Sequence, residues 1–192
     1  MVASADVISA VSETLESRLT AALSGLGNPP PTAQLHDLVT DVPADPPMVT
    51  LFLYQVLEDH SVRNRSKPTR IVNGNVVTTR PPLGLSLHYM ISAWGGDRHT
   101  EQRMLGRVMQ VLYDDAVLDG AELLGVLAGT PSILNVSLQP LNLDDRARVW
   151  WAIGQTYRLS VNYEVRVANL DAETELSSTP VRERRVEGGV VA

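Results

Sequence analysis

Residues Gly84-Leu85-Ser86-Leu87-His88 set a serine two positions before a histidine, the pairing from which a nucleophile and its base are made. A serine elbow would hold the hydroxyl on a tight strand-to-helix turn between two glycines, but His88 occupies the place of the second one. The apolar run continues to Trp94, so Ser86 falls inside a strand, and a base two residues away on the same face is not how triads are assembled. A small-molecule hydrolase using Ser86 and His88 is therefore the secondary reading. The first is a histidine covered by its neighbours or by a helix, with its ring nitrogens hydrogen-bonded.

The other candidates for chemistry are weaker. His36, His60, His88 and His99 fall in four different segments, and no two have the spacing that puts metal ligands on one helical face. Asp97 and His99 flank a helix start, where capping and first-turn solvation are the ordinary roles. Asp114-Asp115 and Asp144-Asp145 lie near helix ends and read as surface charge. The sequence has neither a phosphate-binding glycine loop nor a dinucleotide fingerprint after a strand. These residues assign no catalytic, metal or cofactor site, and the chain reads as a non-enzyme.

The elements that carry these residues follow from periodicity. Val7, Ile8, Val11, Leu15, Leu19, Ala22 and Leu23 recur at helical intervals, and the helix should end in a left-handed cap at Gly25 or Gly27. A proline-rich linker with a short extended piece, residues 34–42, leads to residues 49–58, apolar at both parities and expected as a central strand covered on both faces. Asn73-Gly74 between two β-prone runs marks a projecting hairpin. Residues 83–94 alternate with a period of two and form a strand; Gly95-Gly96-Asp97 hands over to a helix at about 98–114 with Met104, Leu105, Val108, Val111 and Leu112 inside. Asp119 and Glu122 suggest a capping box for a short helix, residues 132–139 a strand, and Asn142 the cap of a helix holding Trp150 and Trp151. In the last strand Tyr157, Leu159, Val161, Tyr163, Val165 and Val167 face a core, whereas Arg158, Ser160, Asn162, Glu164 and Arg166 face water or a partner.

At 192 residues the chain suits one domain, since single cores are comfortable at roughly 100–200 residues. The net charge of −6 argues against a nucleic-acid partner, which would select a basic face. Without cysteine there is no disulfide or thiolate metal site. The N-terminus lacks the basic start and apolar core of a secretory signal, and no apolar run approaches the roughly 20 residues of a membrane helix. A soluble protein kept in the cytoplasm until it is assembled is expected.

What remains is a surface for proteins. Arg63, Arg65, Lys67 and Arg70 form the densest basic cluster, either a solvated loop or an interface with carboxylates, beside Asn73 of the hairpin. Trp150 and Trp151 are adjacent, so they point about 100 degrees apart on a helix. One packs inside and the other lies under a loop or anchors an interface; Trp150 joins the interface set, with Arg158 and Arg166 from the outward face of the last strand. The tail, with Arg182, Arg184 and Arg185, either adds as an edge strand to a neighbouring subunit or is disordered.

Four blocks together resemble the cap, or tail-terminator, family of extracellular contractile injection systems, phage-tail-like particles such as the Photorhabdus virulence cassettes and the antifeeding prophage. They are the N-terminal amphipathic helix, residues 48–65, residues 80–118 with Pro81-Pro82 before His88-Tyr89, and residues 136–167 with Trp151 before Tyr157-Arg158-Leu159-Ser160. The resemblance implies an α+β cap domain over residues 1–170: a central, mostly antiparallel sheet with packed helices and a projecting β-hairpin. An extended C-terminal arm would follow over 171–192. It further implies a six-fold ring of this chain on the distal end of the inner tube and sheath, with tube and sheath proteins as partners and no nucleic acid or membrane. Such a ring would end tube polymerisation and tie sheath to tube.

Overall fold

The computed structural model describes residues 5–61, 69–72, 75–79, 83–170 and 175–178. Val7, Val11, Leu15, Leu19 and Leu23 form the buried stripe of α1 (Val7–Leu23), as their spacing requires. The expected glycine cap is absent. Ser24 ends the helix in the right-handed region, neither Gly25 nor Gly27 takes a positive φ, and the Ser24 hydroxyl donates to the Ala21 carbonyl at 2.8 Å. A side chain thus satisfies an end carbonyl that a left-handed glycine would otherwise have served.

The extended piece after the prolines is β1 (Thr32–Leu35), shorter than expected and parallel to β2 (Met48–Glu58). The chain continues through β3 (Thr69–Val72), β4 (Asn75–Thr79), β5 (Leu83–Trp94), β6 (Val117–Asp119), β7 (Ile133–Leu138), β8 (Ser160–Leu170) and β9 (Glu175–Ser178). The main sheet is six-stranded in the order β1-β2-β5-β8-β7-β6, and every pair except β1–β2 is antiparallel. The centre is β5 with β8. β2, expected there, lies next to the edge, and its burial lasts only from Met48 to Leu51, the stretch that β1 pairs; Gln55, Val56 and Leu57 are exposed. Coverage by a neighbouring strand, which its apolar composition does not report, sets the difference.

β3 and β4 form the hairpin predicted around Asn73-Gly74, with Val72 opposite Asn75. The hairpin does not stand alone. β9, within the stretch expected to be an arm, pairs antiparallel with β4 of its own chain.

Gly95 closes β5 at φ +89, and a Cβ there would sit 2.0 Å from the Ala44 carbonyl oxygen, so only glycine fits this turn. Asp97 then caps α2 (Arg98–Asp114) by accepting the Thr100 N–H at 2.7 Å. All of the predicted core residues of α2 (Met104, Leu105, Val108, Val111 and Leu112) are buried. The short helix expected after Asp119 is present only in 3-10 form. Gly120 at φ +55 breaks the α-conformation, leaving single 3-10 turns at Gly120–Glu122 and Gly125–Leu127 with no side-chain cap from Asp119. α3 (Leu143–Ala152) starts where predicted, Asn142 accepting the Asp145 N–H at 2.8 Å.

The helices divide between the two faces of the sheet. α1 and α2 cover Leu85, Leu87, Tyr89, Ile91 and Ala93 of β5, and each large apolar side chain buried there contributes about 1.5–3 kcal/mol. Tyr89 Oη lies 2.8 Å from Ser12 Oγ of α1, and burial pushes the tyrosine hydroxyl up to about 12. On the opposite face Trp150 of α3 packs with Met90 and Leu38. This second layer explains why Ser160 and Asn162, expected at the surface, are buried: the indole N–H of Trp150 reaches Ser160 Oγ at 3.4 Å.

Candidate functional site

β5 and β8 bring Ser86, His88 and Glu164 together, because Ser86 lies opposite Arg166 and His88 opposite Glu164. Ser86 Oγ is 3.0 Å from His88 Nε2 and donates to Glu164 Oε1 at 2.6 Å; His88 Nδ1 is 2.6 Å from Gln139 Oε1. The ring also meets Tyr54 edge-on, at 6.1 Å between centroids. A serine has one proton, and the shorter contact carries it to the carboxylate rather than to the imidazole. Ser86 and His88 are each only 5% exposed. The hydrolase reading thus loses its nucleophile, and His88 is the covered, hydrogen-bonded residue that the sequence favoured. Arg166 clasps Glu164 through both oxygens, at 2.9 and 3.0 Å, and with the Ser86 hydroxyl holds the Glu164 carboxyl below its ordinary 4.5. His36, His60 and His99 lie elsewhere, and no metal-binding group of three or more His, Cys, Asp or Glu occurs among the described residues.

The residues assigned to an interface separate into three groups. Arg63, Arg65, Lys67, Asn73, Arg182, Arg184 and Arg185 lie outside the described residues. Arg70 is in β3 opposite Val77. Of the remaining three, Trp150 and Arg158 are placed differently from expectation and Arg166 as expected. Trp150 is buried at 1% exposure and its neighbour Trp151 reaches solvent at 82%, so the outward tryptophan is Trp151. Arg158 is tied within its own chain: Nε donates to the Ala93 carbonyl at 3.0 Å, the guanidinium pairs with Glu101, and its carbon lies 4.1 Å from the centre of the Trp94 ring. The strand begins only at Ser160, so the alternation that turned Arg158 outward does not reach it, and Tyr157 and Leu159, expected inside, are exposed. Arg166 does face solvent, with its charge already matched by Glu164.

The surface that sequence reasoning missed runs along α2. A groove of about 580 Å³ lies between α2 and β7, lined by Gly106, Met109, Tyr113, Leu138 and Tyr163 among others. Tyr113 is 84% exposed and Leu138 51%, and Met109 also reaches solvent. A signal was available, because Met109 and Tyr113 fall off the buried stripe of α2 by about a quarter turn. A polar helix face interrupted by such residues marks a binding surface when a neighbouring strand adds apolar side chains.

Residues 10–184 match the family profile of the Pvc16 N-terminal domain. The chain belongs to the Pvc16 N-terminal domain family. Two solved structures share its fold. One is the cryo-EM structure of an extracellular contractile injection system, PVC sheath/tube terminator in extended state, with TM-score 0.67, 22% identity, and coverage of 97% of this chain and 64% of that one. The other is the anti-feeding prophage cap, a tube-terminating cap, with TM-score 0.59, 19% identity, and coverage of 95% and 60%. This chain therefore spans less than two thirds of either neighbour's length. No curated protein matches the sequence. Within this Pvc16 N-terminal domain Ser86 and His88 are buried, whereas apolar side chains of α2 and Trp151 reach solvent.

Proposed function

We propose that the chain is a structural cap subunit of a contractile injection system, ending tube polymerisation and tying the sheath to the tube. The observation that carries this is the family match over residues 10–184, joined to a fold shared across 97% of the chain with a sheath/tube terminator. The surface supports it: a buried serine, a buried histidine and large exposed apolar side chains suit a protein whose work is contact, not turnover. On this reading the chain is not an enzyme, its copies form a six-fold ring, and its partners are the inner-tube and sheath proteins. It is made in the cytoplasm and carried in the finished particle. No helix among the described residues is long and apolar enough to cross a membrane.

Deleting the protein from a producing cell is the test. Electron micrographs are expected to show tubes and sheaths of irregular length. Uniform, contractile particles in its absence would rule the cap role out.

A further inference from the structure

β5 outruns its partner at one end. Its ladder with β8 stops at Ser92 opposite Ser160, while β5 continues to Trp94, held from the other side by Met48 of β2. Among the described residues, Ala93 and Trp94 therefore have a paired strand on one side only. Residues 157–159 would lie opposite them in the same register, and Tyr157 and Leu159 continue the apolar series of Val161, Tyr163 and Val165. They leave the sheet all the same, and both are exposed.

A side chain stands where the next ladder bond would form. The Asn162 carbonyl accepts the Gln139 N–H at 2.8 Å and so points towards β7. Backbone groups alternate sides along a strand, so those of Val161 point towards β5, as those of Leu159 would in a longer β8. The Ala93 carbonyl opens to the same side, and Arg158 Nε donates to it at 3.0 Å, in the place of the Leu159 N–H. The guanidinium is fixed from two further directions, by Glu101 of α2 and by the Trp94 ring 4.1 Å away. A hollow of about 480 Å³ lies between this end of β5, α2 and residues 155–159, with Ala93 and Leu105 among its walls. Ala93 and Leu105 belong to the core under α1 and α2, and side chains of opposed residues share a face. Leu159 opposite Ala93 would thus enter the hollow against Leu105.

We propose that residues 157–159 have two seats and that Arg158 is the latch that selects between them. In the latched seat Arg158 holds the Ala93 carbonyl and keeps Tyr157 and Leu159 at the surface. In the other, the Leu159 N–H replaces Arg158 on that carbonyl, β8 starts at Tyr157, and Leu159 fills the hollow. The change exchanges one hydrogen bond for another on the same acceptor, and sets an ion pair with a cation–π contact against apolar burial, terms of similar size. A molecule that contacts Tyr157 and Leu159 binds the latched form alone, so the latch governs when that surface is presented. The device belongs to the chain itself and does not depend on the cap reading.

Nuclear magnetic resonance of the full-length chain tests it. In a longer β8, positions 94 and 158 form a non-hydrogen-bonded pair whose Hα atoms lie close, so a cross-peak between them reports the second seat. That cross-peak is expected to be absent from the parent and present in Arg158→Val, with amide exchange at position 159 slowed by about tenfold or more. Glu101→Gln, which loosens the latch from the α2 side, should slow the same amide by a smaller factor. Adding Leu159→Asp to Arg158→Val should abolish both signals, because a carboxylate does not enter an apolar hollow without a partner.

Arg158→Val with exchange at position 159 as in the parent, and the ladder from Leu85 to Ser92 intact, would overturn the proposal. So would protection that survives Leu159→Asp, since the hollow would then not be the second seat. Should Arg158→Val not fold, Glu101→Gln decides, and unchanged exchange at Leu159 in that variant would overturn the latch.

Discussion

Glu164 is held by two groups of different kinds, the Arg166 guanidinium and the Ser86 hydroxyl, and both favour its charged form. Its folded-state pKa is lowered, so it contributes stability that is present above its ordinary 4.5 and is lost as pH falls through the folded value. Replacing Arg166 by Gln removes the larger cause. The Glu164 carboxyl should then titrate higher in a carbon-detected NMR titration, and acid unfolding should begin at higher pH than in the parent; an unchanged titration would show that the clasp does not act on Glu164. The burial of His88 was legible from its place in a strand of period two. The carboxylate that accepts the serine's hydrogen bond was not, since residues 86 and 164 meet only through the register of β5 against β8.

α3 sets two tryptophans about a quarter turn apart and gives them opposite environments. Trp150 lies under the second layer with Met90 and Leu38, so Trp150→Ala is expected to cost about 3–5 kcal/mol by cavity formation. Trp151→Ala should stay within about 0.5 kcal/mol of the parent, because an exposed side chain leaves no cavity. Denaturant melts of the two purified variants measure this, and equal losses would contradict the assignment. That one tryptophan must turn outward follows from adjacency on any helix. Which one depends on where α3 sits against the sheet, and Asn142 as its cap does not determine that. β8 shows the same limit. Its alternation was clear from Val161 to Val167, but Ser160 and Asn162 on the face opposite the core are buried, and Tyr157, Arg158 and Leu159 before them left the strand altogether.

For the whole molecule, the cap reading makes the basic cluster an attachment surface. Reversing charge at Arg63, Arg65 and Arg70 together is expected to impair attachment in particles while the circular dichroism of the purified chain is unchanged; wild-type particle yield would contradict it. By itself the sequence determined the fold class, a mixed α+β architecture with a mostly antiparallel sheet. It also determined the α2 core stripe, the caps at Asp97 and Asn142, and the hairpin about Asn73-Gly74, because each rests on residues close together in the chain. Only the tertiary structure decided that β2 lies beside the edge, that β9 joins β4, that Arg158 turns back onto Trp94, and that Trp151 faces outward. Those outcomes depend on which distant segment covers a given face. Local spacing describes what an element can bury, and packing alone selects what covers it.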